Sequence, residues 1–130
     1  MKVEKGYFYT DNHEWVSVDG NVVTLGISDY AQDHMGDIVY VELPDEGDEL
    51  DAGDAFASVE SVKAASDFET PFAGTVVEVN EDVDDEPEDV NEDPYGMWMV
   101  KIEVEGDIDT SSLKSDSDYE DEIGDLEYTD

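Results

Sequence analysis

Thirty-nine side chains are Asp or Glu and five are basic, so 130 residues carry a formal charge of -34. All five basic residues are lysines. Charge of this size opposes compaction and on its own reads as disorder. Against that, 38% of the residues are hydrophobic and 10% aromatic, which is a core-forming composition. A folded sphere of this mass has roughly 6,800 Å² of surface, which gives each excess charge about 200 Å² and puts neighbours about 14 Å apart. A phosphate backbone or an anionic membrane would repel such a surface, which argues against nucleic-acid and membrane partners. Met1 to Gly6 carry charge and no apolar stretch, so no signal peptide is expected, and no run is long enough to span a bilayer. The reading is a soluble, cytoplasmic protein. Cysteine is absent, which removes disulfides, thiolate metal sites and a cysteine nucleophile together.

The apolar residues are ordered along the chain. Trp15 to Val18 and Val22 to Ile27 are strand-like runs joined by Asp19-Gly20-Asn21, a hairpin signal. Ser28-Asp29 opens a segment in which Tyr30, Ala31, His34 and Met35 share a helical face, and Gly36 stops it. Val39, Val41 and Leu43 then alternate with Tyr40 and Glu42, predicting a half-buried strand that ends at Pro44. Strand period returns over Thr75 to Val79, and again where Trp98, Val100, Ile102 and Val104 alternate with Met99, Lys101 and Glu103. Ser117 with Glu120 reads as a capping box, and Tyr119, Ile123 and Leu126 form one stripe of a short C-terminal helix despite Gly124. Glu81 to Asp93 lacks periodicity and contains Pro87, predicting a surface loop with room for one helical turn. Gly36-Asp37-Ile38-Val39-Tyr40-Val41 also resembles Gly74-Thr75-Val76-Val77-Glu78-Val79. Many short strands, frequent glycine turns and two short helices predict one domain over residues 1–130, a small all-β sandwich or barrel.

Motifs of enzymes are missing: no G-x-S-x-G elbow, Walker loop, G-x-G-x-x-G or H-E-x-x-H is present. His13 and His34 read as structural or surface residues. Close acid pairs carry no information in a chain this acidic. Asp116, Asp118, Glu120, Ile123 and Glu127 fall at EF-hand loop positions, but Asp121 stands where the sharp turn needs Gly, so calcium is not expected. The informative lysine is Lys63, in Glu60-Ser61-Val62-Lys63-Ala64-Ala65-Ser66-Asp67. It lies between strand-like runs over Asp54 to Val62 and Phe68 to Phe72, which places it at a hairpin tip. A surface lysine on a turn and a lysine with a special role both remain open on spacing alone.

The chain resembles the glycine cleavage system H-protein family of lipoyl carriers. The matching segments are His13-Glu14-Trp15, Gly26 to Ala31, Gly36-Asp37-Ile38-Val39 and Val41-Glu42-Leu43-Pro44. The match continues through Val59 to Ala64, Pro71 with Gly74, Glu78-Val79-Asn80, and Pro87 to Tyr95 followed by Trp98. The resemblance implies a mainly β barrel-sandwich hybrid of the lipoyl- and biotinyl-carrier kind, with a C-terminal helix. Lipoate would be held in amide linkage on Lys63, with Glu60, Ser61, Val62 and Ala64 as the segment a lipoate ligase or lipoyl transferase recognises. The carrier would catalyse nothing itself. A glycine decarboxylase (P protein) would load an aminomethyl group, an aminomethyltransferase (T protein) would remove it, and a dihydrolipoyl dehydrogenase (L protein) would take the electrons. Glu14 and Asp67 would line a groove that shelters the loaded arm, with Asn12 where relatives often have serine. A monomer is expected.

Other classes share parts of this pattern. A biotin carrier usually flanks its lysine with methionines, where this chain has Val62 and Ala64. A lipoyl domain of a 2-oxoacid dehydrogenase normally belongs to a longer enzyme with a linker. An H-like protein that relays lipoate to other proteins needs the same lysine, so residues alone leave it open.

The composition looks like that of a protein from a salt-rich cytoplasm, which yields a direct expectation. Charges about 14 Å apart are hardly screened at a Debye length of about 30 Å, as at 0.01 M salt, and almost completely screened only when it falls well below their spacing, to about 3 Å at 1 M. Raising KCl from 0.1 M to 2 M should therefore raise the thermal unfolding midpoint substantially. A flat or falling midpoint would leave the acidity without this explanation.

Overall fold

The computed structural model describes residues 3–128, with side chains up to Gly124. The expected first hairpin is formed by β2 (Glu14–Asp19) and β3 (Val22–Ile27), paired in register from Glu14↔Ile27 to Asp19↔Val22. Of its turn residues only Gly20 takes a positive φ, +63°. These strands belong to a six-stranded antiparallel sheet in the order β1 (Phe8–Tyr9), β2, β3, β9 (Val100–Glu103), β8 (Gly74–Val79), β5 (Glu49–Leu50). A second sheet has three antiparallel strands, β4 (Ile38–Glu42), β6 (Ala55–Ser61) and β7 (Ala65–Glu69), with β6 central. Val23, Leu25 and Ile102 of the first sheet and Val41, Val59 and Phe68 of the second meet in one buried cluster. The architecture is mainly β, two antiparallel sheets facing across a shared core, with short helices at the margins.

The two similar sequence segments fold alike. Ile38-Val39-Tyr40 in β4 and Val76-Val77-Glu78 in β8 each contain a register irregularity at the same position, between Ile38 and Tyr40 and between Val76 and Glu78. The extra residue breaks the two-residue alternation. Ile38 and Val76 are consequently buried while Val39 and Val77 are 54% and 42% exposed. The expected burial of Val39 is therefore wrong: the core-facing pair of β4 is Ile38 and Val41, and Leu43 lies past the strand end, only partly buried.

The acidic segment is more ordered than expected. It holds two short helices, α2 (Glu81–Asp85), capped by the Asn80 side chain accepting from the Asp82 N–H, and α3 (Asp89–Glu92). Val83 and Val90 are fully buried, and these two anchors convert an aperiodic stretch into helical turns by tertiary contact. After it, Met99 is buried and strand pairing starts at Val100, so alternation does not extend back to Trp98. The two strands beside Lys63 are also shorter or shifted: β6 ends at Ser61, and β7 covers Ala65–Glu69 instead of starting at Phe68.

Helix α1 (Asp29–Met35) is capped by Ser28, which accepts from the Ala31 N–H, and ends at Gly36 with φ +79°. Helix α4 (Asp116–Tyr128) is capped by Ser115, whose hydroxyl accepts from the Asp118 N–H at 3.2 Å, not by Ser117. The EF-hand-like spacing falls on this continuous helix and not on a loop. The side chains of Leu126 and Glu127 lie outside the described residues. Tyr119 and Ile123 pack with Tyr9, Trp15 and Tyr95 in a second, aromatic cluster. Tyr9 and Tyr119 stack at 4.2 Å between ring centres. The Tyr119 hydroxyl lies 2.7 Å from Ser28 Oγ and 2.8 Å from His13 Nδ1. Lys114 completes the docking by pairing with Glu122 on α4 and with Asp11, at 2.6 and 2.9 Å.

Two outcomes follow from this packing. Gly26 faces Trp15 across the β2–β3 pair, and a Cβ there would lie 2.6 Å from the indole ring. Gly26→Ala should cost about 1–3 kcal/mol by overpacking in denaturant unfolding at constant salt; a variant as stable as the original would show that the ring has room to move. The second concerns His13, whose pKa is lowered mainly by burial. The neutral ring keeps its Nδ1 hydrogen bond with the Tyr119 hydroxyl at 2.8 Å. The unfolded chain takes up this proton at about pH 6.5 and the folded chain only at lower pH, so stability is fully present above about 6.5 and declines as the pH falls below it. His13 sits at φ +67°, which Asn tolerates. Between pH 7.5 and 5.5 the original should lose stability relative to His13→Asn; parallel profiles would remove His13 as the titrating group.

Candidate functional site

Strands β6 and β7 pair down to Glu60↔Ala65, and the chain reverses over Ser61 to Ala64. The Ser61 N–H donates to the Ala64 carbonyl at 2.8 Å and closes the turn. The Ser61 hydroxyl accepts from the N–H groups of Ala64 and Lys63 at 3.0 and 3.3 Å, the side-chain turn that serine favours. Val62 and Lys63 stand exposed at the tip, Val62 at 70%. The tip is also tied sideways, because the Val62 N–H donates to the Asp37 carbonyl at 3.0 Å.

Lys63 lies across Gly36, where an added Cβ would meet Lys63 Cε at 3.1 Å and Nζ at 3.7 Å. The bare glycine gives the lysine stem a seat, and its positive φ keeps other residues out. Lys63 forms no ion pair among the described residues. Lys101 and Lys114 do, Lys101 with Glu78 at 3.8 Å.

Beside this seat a cavity of about 320 Å³ is lined by Asn12, His13, Tyr30, Ala31, His34, Met35, Ser66 and Phe68. Tyr30 stacks on His34 at 4.0 Å and lies 4.5 Å from His13. The wall is thus aromatic and apolar with a few polar groups, the composition of a small-molecule groove. Neither Gly36 nor Lys63 is among its lining residues; Met35, next to Gly36 in sequence, is the lining residue nearest the seat along α1. His34, read from sequence as structural or surface, lines the groove. The shared helical face of Tyr30, Ala31, His34 and Met35 was the available signal, though it points as much to burial as to a groove.

A second cavity, also about 320 Å³, lies on the other side of Asn12 and is lined by Asp11, Glu14, Glu69, Thr70 and neighbours. Glu14 is 2% exposed. Its carboxylate accepts from Thr10 Oγ1 and the Glu69 N–H at 2.6 Å each and from Asn12 Nδ2 at 3.3 Å. Burial pushes its pKa up, and these three donors oppose the rise. Asn12 and Glu14 are therefore brought together. Asp67 is not brought to them: it is exposed on β7, where it accepts from Ser58 Oγ at 2.7 Å, and its neighbours Ser66 and Phe68 line the groove instead. Glu60 is exposed on the strand leading to the tip, and Ala64 is exposed after the lysine.

Comparison with known proteins agrees with this geometry. The family described as glycine cleavage H-protein matches residues 7–126. A glycine cleavage system H protein of Carboxydothermus hydrogenoformans is 54% identical over 119 residues, 91% of this chain and 92% of the relative. One of Staphylococcus epidermidis is 50% identical over 125 residues, 95% and 99% of the two chains. The crystal structure of a glycine cleavage system H protein from Mycobacterium marinum superposes with a TM-score of 0.83 at 32% identity, covering 94% of this chain and 99% of that one. A match over nearly the whole chain, in sequence and in fold alike, makes this protein a member of the glycine cleavage H-protein family.

Proposed function

We propose that this chain is the lipoyl carrier of a glycine cleavage system, with lipoate in amide linkage on Lys63. It carries an aminomethyl group from a glycine decarboxylase (P protein) to an aminomethyltransferase (T protein), and electrons to a dihydrolipoyl dehydrogenase (L protein). The single observation that carries the reading is the placement of Lys63: exposed at a tied hairpin tip and seated on Gly36. When attached, lipoate supplies a dithiolane on a long arm that takes up and passes on a one-carbon unit and two electrons.

The residues fit that group. Acylation discharges the ammonium, and because Lys63 holds no carboxylate, no acid partner is stranded when the charge disappears. Ser61 and Gly36 keep the tip narrow, which suits entry into a modifying enzyme, a lipoate ligase or lipoyl transferase. The apolar lining of Tyr30, Met35 and Phe68 excludes water from whatever lies in the groove, and Asn12 offers a polar end backed by Glu14. Asp67, on the outer face of β7 and bonded to Ser58, lines neither cavity and is left out of the proposed arm site. Tethering replaces diffusion between enzymes by a local search, which is the carrier's contribution to rate.

The reading extends to a single carrier domain over residues 1–130, acting as a cytoplasmic monomer in a salt-rich interior. Among the described residues no helix is long and apolar enough to cross a membrane. The charge of -34 supports a salt-adapted surface.

Lys63→Arg tests the assignment. The change keeps the charge at an exposed site and should alter stability by less than about 0.5 kcal/mol, while guanidinium stays protonated and is a poor acyl acceptor. With a lipoate ligase the original should gain one lipoyl group on the Lys63 peptide and support glycine-dependent CO2 release with the three partner enzymes. The variant should do neither. Modification at another lysine would overturn the site. Lipoylation at Lys63 without CO2 release would leave lipoate relay to other proteins as the function.

A further inference from the structure

We infer that Asn91 is a positioning residue for the lipoyl-lysine hairpin, acting through the α1–β4 turn from the acidic segment on the other side of it. The proposal rests on the reading of Lys63 as the attachment site. Asn91 stands on α3, and its amide uses every hydrogen-bonding group it can offer in that direction. Its Oδ1 accepts from the Ile38 N–H at 2.8 Å, and its Nδ2 donates to the Gly36 carbonyl at 2.8 Å and to Gln32 Oε1 at 2.9 Å. The Gln32 amide is itself oriented, since its Nε2 donates to Asp29 Oδ1 at 2.7 Å.

The consequence is local and specific. One side chain clamps the peptide groups on both sides of Asp37, at Gly36 and at Ile38. Asp37 between them has no freedom to turn its carbonyl, and that carbonyl is the acceptor for the Val62 N–H at the hairpin tip. Gly36, held by the same amide, is the seat under Lys63 Cε. Asn91 thus acts on two of the points at which the tip touches the body of the molecule, Asp37 and Gly36, without touching Lys63 itself. Asp in its place would supply the acceptor and lose both donors, setting a carboxylate against two acceptors, and Ala would supply nothing.

A hairpin that samples several positions is recognised only for the fraction of time it holds the right one, and the apparent affinity falls by that fraction. With the apo chain as substrate of a lipoate ligase, Asn91→Ala and Asn91→Asp should each raise KM about tenfold and leave kcat within about twofold. Amide exchange at Val62, measured on the unlipoylated chain, should accelerate in both. Asn80→Ala is the control: it removes the α2 cap in the same acidic segment, lowers stability, and should change neither KM nor Val62 exchange. All assays are run at a salt concentration where each variant is folded by circular dichroism.

An original-like KM and Val62 exchange in folded Asn91 variants would overturn the proposal. An equal rise of KM in Asn80→Ala would do so too, because loss of stability would then suffice. Faster Val62 exchange in the Asn91 variants, with no lipoyl transfer to Lys63 in the original, would refute the attachment site and leave the tether standing, so the two failures are separable.

Discussion

Of all the acids in this chain, one carboxylate is buried among the described residues, and it joins the two sheets. Glu14 begins β2 in the larger sheet and accepts from the Glu69 N–H at the end of β7 in the smaller one. An isolated carboxylate buried this deeply is costly to desolvate, and it persists in folded proteins only when hydrogen-bonded. Thr10 and Asn12 supply the remaining donors. The demand of one charge for three partners therefore folds the β1–β2 loop back on itself and holds the two sheets at a fixed separation.

Attraction elsewhere comes from aromatic stacking and apolar burial. The Tyr9–Tyr119 stack and the Ser28, Tyr119 and His13 hydrogen bonds dock the C-terminal helix onto the first hairpin. Trp15 fills the space above Gly26 and donates from its indole nitrogen to the Pro94 carbonyl at 3.1 Å, tying the acidic segment to the sheet. Lysine is scarce, and two of the five lysines are committed. Lys114 joins Asp11 to Glu122, and Lys101 lies over the Trp98 ring at 4.8 Å and near Glu78. Lys63 has no such engagement, which leaves it available for acylation.

Much of this was legible in the residues because it is local. The Gly20 turn, the Ser28 cap and the Gly36 stop depend on neighbours within a few positions, and they fold as read. Strand alternation failed where a bulge inserted one residue, at Val39, since the bulge is set by pairing with β6 and leaves no period of its own. The helices over 81–92 failed for a similar reason. Their acidic residues carry no periodic stripe, and Val83 and Val90 become anchors only when the core is there to receive them. Among the site residues, Lys63 at a hairpin tip follows from two flanking strands. The separation of Asp67 from Glu14 does not, because strand parity at β7 depends on where β7 begins, and Ser66 takes the inward place beside Phe68.

The sequence by itself determined the family, the lysine and the surface charge, because each is a matter of residue identity in order along the chain. Only the tertiary structure decided which groups surround that lysine. Gly36 under its stem, His34 and Phe68 along the groove, and Asn91 behind the turn come from three separate segments. Their meeting is fixed by sheet pairing, bulge position and hydrogen bonds between residues 50 or more apart, which carry no signal in local spacing.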